Sequence, residues 1–205
     1  DRKKLKEQVK IFKNDTFHKY GIVTADVKII TKEKSYKKNI KKPKNLVKQI
    51  LLANGVIYGS AALLRSDIFK QAGMFAEVLP KGTDSDVFRR IILLGYDVYL
   101  INKDMIDYYS DDDDRMTSLN EKGINRSIIA LIYKLKTYNE ILKFYPSVRS
   151  STLSQLGRMY YLRYYSNKNI HAKDLSKKYY IKSLLTNPFN YRGWYFLIKL
   201  YLGIK

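Results

Sequence analysis

Two acids one residue apart, Asp84 and Asp86, stand at a predicted helix start, and a run of four, Asp111–Asp114, follows later in the chain. Carboxylates at such places can take a proton from an attacking hydroxyl or hold a divalent cation. Each also has a plain structural role. Thr83 or Asp84 can cap the helix, Asp86 is a favourable first-turn acid, and the Asp run can be a solvated loop. Arg89 and Arg90 follow in the same helix and point about 100° apart, so one is expected to pair with an acid and the other to meet solvent. Thiol chemistry is excluded because cysteine is absent. Only two histidines occur, His18 and His171, too far apart in sequence for a His-rich zinc site or a Ser-His-Asp set to be built readily. His18, beside a predicted strand, is expected to be structural or exposed.

The 205 residues, 45% of them apolar, are enough for one or two small domains with a core. The absence of disulfides suits a reducing compartment. Net charge is +20, which points to an anionic partner: nucleic acid, a nucleotide or an acidic membrane face. The charge is uneven. Residues 1–44 carry 15 basic and 5 acidic side chains, residues 45–114 carry 7 and 11, and residues 115–205 carry 17 and 3. An acidic centre between basic flanks suits a catalytic carboxylate better than a plain nucleic-acid binder. No run of 18 apolar residues and no signal peptide is visible. The chain opens at Asp1, directly in a charged helical pattern, and reads as a fragment.

The elements that must position these residues follow from periodicity. Leu5, Val9 and Phe12 predict an amphipathic helix over about 2–13. Residues 21–31 predict a strand, 32–44 a Lys-rich loop or hairpin tip, and 46–52 a short helix. Residues 55–64 (GVIYGSAALL) predict a buried strand. Ser66 is expected to cap a helix through Ala72 that Gly73 stops. A helix over about 86–94 ends at Gly95, and a strand follows over 96–101. Beyond residue 114 the pattern is helical. One long helix is predicted from Ile124 to about Phe144, with a break at Pro146, a second helix through Leu153, Leu156 and Tyr160, and two more over 175–185 and 191–202. The fold class expected is α/β over 1–114, then an all-α, basic, Tyr-rich region over 115–205.

Residues 59–101 carry five elements in a fixed order: Gly59-Ser60; an arginine-led helix, Arg65-Ser66-Asp67-Ile68-Phe69; the turn Gly73-Met74-Phe75; Asp84-Ser85-Asp86 with Arg90; and the strand Gly95 to Tyr99. This set resembles the acceptor half of a family 2 glycosyltransferase with the GT-A fold. The opening DRKKLKEQVKIF is similar to the helix that follows the family's DxD motif, so the likeness spans about residues 1–118.

The resemblance implies a partial GT-A domain and inverting transfer of a sugar from a nucleotide-sugar donor to a saccharide or lipid-linked acceptor, in surface polysaccharide synthesis. The donor half and the DxD would precede Asp1, so the chain alone is expected to be inactive. Asp84 takes the position of the family's catalytic base. Gly59, Ser60, Lys81, Gly82, Thr83, Asp86 and Arg90 are the expected substrate-side residues, Asp86 foremost as a supporting acid. For Gly59 and Ser60 a tightly packed strand is the alternative, and for 80–83 an ordinary loop. The cofactor implied is a divalent cation, Mg²⁺ or Mn²⁺, held mainly upstream. Many family members carry a histidine after the strand ending near residue 101. None is present here, so either Asp111 substitutes as an oxygen ligand or this ligand is missing.

In the helical region, residues 156–201 resemble a single tetratricopeptide hairpin, too little for a solenoid. Tyrosines at 160, 161, 164, 165, 179 and 180 sit among lysines, which suits base stacking or a bilayer interface. The last helix, Trp194–Leu202, is too short to span a membrane and reads as interfacial or as a core helix. The expected location is cytoplasmic, with a peripheral place on the inner membrane face as the variant of it. The alternative function is a basic nucleic-acid-binding or membrane-surface module without catalysis. No RNA-binding, helix-turn-helix or zinc-finger pattern supports a specific nucleic acid.

Overall fold

The computed structural model describes residues 3–52, 57–109 and 119–204. The chain divides into two compact units, one of Asp1–Glu77 with Gly82–Asp113 and one of Val78–Lys81 with Asp114–Lys205.

The first unit is mixed α/β around a four-stranded mixed sheet. Its central strand is β1, Tyr20–Ile30. Seven consecutive residues of β1, Gly21–Val27, are buried, so both of its faces are covered. Along one edge β1 pairs in parallel with β4, Asp97–Tyr109, from Tyr20 opposite Asp97 to Ile30 opposite Tyr109. The pairing shifts register around Ala25 and Asp26. Its other edge is shared by two short antiparallel strands: β3, Leu63–Leu64, opposite Ile22 and Val23, and β2, Ser35–Lys38, opposite Val27–Ile30. Thus the hairpin-tip reading of the Lys-rich segment has a short strand in it.

Four helices cover this sheet: α1, Lys4–Asn14; α2, Leu46–Leu52; α3, Ser66–Gln71; and α4, Thr83–Leu93. One core joins Ile22 and Val98 of the sheet to Ile50, Ile68, Val87 and Ile91 of α2, α3 and α4. A smaller cluster holds Val27, Ile29 and Ala61. Since Ile22 and Val27 differ in parity along β1, the two clusters lie on opposite faces of the strand.

Several expectations need correction. The strand predicted over 55–64 is real only at Leu63–Leu64. Gly55 and Val56 lie outside the described residues, and Gly59–Ala61 form a 3₁₀ turn in which the amide of Ala61 donates to Tyr58 O. α3 has Arg65, not Ser66, at its cap position and no side-chain cap. α4 begins three residues early, because Gly82, at φ 71°, supplies the left-handed turn that starts it. β4 runs on to Tyr109, since pairing with all of β1 extends it. In α1 the apolar stripe is not what is buried: Leu5 is 60% exposed, while Gln8 is 1% exposed.

The second unit is helical: α5, Glu121–Thr137; α6, Asn139–Lys143; α7, Pro146–Asn167; α8, Ile170–Thr186; and α9, Tyr191–Leu202. The long helix expected to Phe144 is two, broken at Tyr138. Pro146 opens α7 rather than lying between helices, as its missing N–H costs nothing in a first turn. Side chains of Asn120, Asn169 and Asn190 cap α5, α8 and α9 by accepting from Gly123 N, Ala172 N and Gly193 N. α7 and α8 approach closely, with a Cβ on Gly157 only 3.0 Å from the buried Tyr180 ring. Ser150, Ser183 and Asn190 form a shared hydrogen-bond network where α7, α8 and the start of α9 meet.

Candidate functional site

The first turn of α4 carries Thr83 and Asp84, both half-buried. Asp84 Oδ1 accepts from the amide of Ser85 at 2.7 Å, which fixes one carboxylate oxygen at the helix N-terminus. The other oxygen lies on Gly59. A Cβ at Gly59 would stand 2.5 Å from Asp84 Oδ2 and 3.3 Å from its Cγ. A side chain there would have to push the carboxylate aside, so the glycine clears room for it. Gly59 and Ser60 are both exposed, so solvent reaches the place where backbone and carboxylate meet.

The Gly59–Ala61 turn is held from the other side by α1. Gln8 Nε2 donates to Ala61 O at 2.7 Å and to Val23 O at 3.0 Å, tying the turn to the central strand. Lys4 Nζ donates to Ser60 O at 2.7 Å. Burial lowers the pKa of Lys4 from the usual lysine value. Neither residue was expected at the site. The available signal was Gln8 itself, a polar residue on the face marked by Leu5 and Phe12.

Asp86 and Arg90, expected on the substrate side, belong to the packing instead. Asp86 is fully buried, and its Oδ2 pairs with Arg90 Nε at 3.0 Å, the i, i+4 partner. The Arg90 guanidinium also donates to Ala72 O and Met74 O. It therefore clamps the turn after α3, where Gly73 takes φ 80° and Met74 φ 54°. Arg89, expected in solvent if its neighbour is paired, is buried and donates through Nε to Ile50 O at 3.2 Å. Both arginines are thus used in packing.

Lys81 was also expected to line the site. Its Nζ donates to Ser127 Oγ of α5 at 2.7 Å, within the helical unit. Burial and the neighbouring Arg126 charge lower its pKa. Gly82 serves as the left-handed start of α4. Asp111 lies outside the described residues. Among the described residues no group of three His, Asp or Glu side chains comes together to hold a metal ion. His18 is exposed.

What converges is therefore Asp84, Gly59 and Ser60, with Gln8 and Lys4 behind them. The arrangement offers one half-buried carboxylate beside an exposed turn, with one oxygen anchored and the other against the small residues of that turn. It can accept a proton from a hydroxyl placed over that turn. Alanine at Gly59 would displace the Asp84 carboxylate while leaving the core untouched. Gly59→Ala is expected to keep a wild-type melting curve within a few degrees and to lower by about tenfold or more any turnover that depends on the Asp84 carboxylate. Assays of the purified variant beside the wild type check this. Searches of family models, curated proteins and solved structures find no match to this chain.

Proposed function

We propose that the first unit is the acceptor-side part of an inverting glycosyltransferase, with Asp84 as general base. The observation that carries this reading is the placement of Asp84 Oδ2 against Gly59. The two residues come from the first and fourth elements of the ordered set in residues 59–101, and nothing in their sequence spacing requires them to meet. A helix N-terminus and a half-buried carboxylate beside an exposed small-residue turn suit proton removal from a sugar hydroxyl.

The step is an in-line displacement. The acceptor hydroxyl oxygen attacks the anomeric carbon of the nucleotide-sugar, its proton passes to Asp84, and the bond to the nucleoside diphosphate breaks with its electron pair leaving on the phosphate oxygen. Ser60, exposed beside Gly59, can hydrogen-bond the acceptor. Thr83, in the same first turn of α4 as Asp84, is a second hydroxyl for that purpose. On this reading the donor site and the carboxylates for Mg²⁺ or Mn²⁺ lie outside the described residues.

The reading is tested with the full-length gene product, assayed for release of nucleoside diphosphate from nucleotide-sugars in the presence of saccharide or lipid-linked acceptors. Turnover that requires acceptor supports it. Specific RNA binding that survives physiological salt, with no turnover, replaces it with the nucleic-acid reading.

A further inference from the structure

We infer that the outer face of α9 is a docking surface for an anionic lipid bilayer. α9 has two apolar faces. Gly193, Leu197 and Leu200 are buried against the rest of the helical unit, and Leu197 clusters with Tyr180 and Leu184. At about 100° per residue, Tyr191, Trp194, Tyr195, Ile198, Tyr201 and Leu202 fall within one arc of about 120° on the other side. All six are between 50% and 70% exposed. An apolar arc of this width on a surface helix is normally covered.

Charge and composition select the occupant. Aromatic rings with a polar edge, mixed with Ile and Leu, are the residues that settle at the headgroup level of a bilayer. Cations border the arc on both sides. Arg192 and Lys199 follow Tyr195 around the helix, with Lys199 Nζ 5.7 Å from the Tyr195 ring. From α8, Lys177 Nζ sits 4.7 Å from the ring of Tyr201. No acid lies on α9, and residues 115–205 carry 17 basic against 3 acidic side chains. Two copies meeting face to face would bring like charge together, whereas an acidic headgroup layer complements it. The indole N–H of Trp194 already donates to Pro188 O at 2.9 Å, so the ring can enter an apolar layer without losing a partner. Among the described residues no helix is long and apolar enough to cross a membrane, so the contact is interfacial. The inference is independent of the transfer chemistry.

Trp194 is the chain's one tryptophan, so its fluorescence reports this face alone. The 205-residue chain is titrated with vesicles of phosphatidylcholine plus phosphatidylglycerol and, in parallel, of phosphatidylcholine alone. The expected result is a blue shift of Trp194 emission with the acidic vesicles, quenching by bromines placed high on the acyl chains, and weakening as salt is raised. Ile198→Asp is expected to reduce binding by about tenfold or more, with an unchanged circular dichroism spectrum and melt. The inference is overturned by absence of binding to acidic vesicles at low salt, by binding without any change in Trp194 emission, or by equal binding of Ile198→Asp. A blue shift that follows protein concentration without lipid also overturns it and assigns the face to a second copy.

Discussion

Asparagine in place of Asp84 is expected to lower kcat of the full-length gene product by about 10²-fold or more, with little change in donor affinity. The substitution keeps the size of the side chain and an oxygen that can still accept from Ser85 N. It removes only the ability to accept a proton, which matters when the acceptor hydroxyl is losing its own. The helix should survive, because its start rests on Gly82 and not on a side-chain cap. Initial rates at saturating donor, with thermal melts as the folding control, decide it. A variant that melts like wild type and turns over normally would remove Asp84 from the chemistry and with it the proposed reaction.

The second large effect is on stability. Asp86→Leu is expected to destabilise the first unit by about 3–5 kcal/mol, because it removes the buried carboxylate that Arg90 and Arg89 share, and Arg90→Met by less, because Arg89 Nη1 stays 3.9 Å from Asp86 Oδ1. For a unit of this size the larger loss corresponds to a fall in Tm of about 10 °C or more. Arg90→Lys should not rescue, since a point ammonium cannot serve Asp86, Ala72 O and Met74 O together. The double variant should lose less than the two single losses added, since the Asp86–Arg90 interaction is lost only once. Denaturant melts of the four proteins give the coupling directly. Additive losses would mean that the pair is not the clamp described here.

Local signals in the sequence account for much of the fold. Periodicity places α2, α3 and β1 within a residue or two. What local reading missed depends on tertiary partners. The turn at Gly59–Ala61 lies in an apolar run that reads as strand until the Asp84 carboxylate and the Gln8 amide are present to shape it. The start of α4 at Thr83 depends on the left-handed backbone of Gly82, which a Gly in a Pro-Lys-Gly loop hints at without fixing the register. The asparagine caps at 120, 169 and 190 were legible by type and position, and would have set three helix starts in the second unit. The Asp86–Arg90 pair was legible as an i, i+4 spacing, but its burial, which turns it from a substrate contact into a clamp, was not. No sequence rule joins residues 59 and 84.

The central strand has a consequence for how the molecule assembles. β1 finds β2 a few residues away, but its long partner β4 is about eighty residues further along the chain, and closing that loop must precede any reward from the pairing. In the second unit the most extensive packing joins α7 to the next helix, α8, and α5 meets α7 across only the short α6. The C-terminal half should therefore reach its native hydrogen bonds first, and the sheet should close late. Pulse-labelled amide exchange during refolding would show this order as early protection in α7 and α8 and delayed protection in β1 and β4. The reverse order would mean that the sheet nucleates folding despite its long loop.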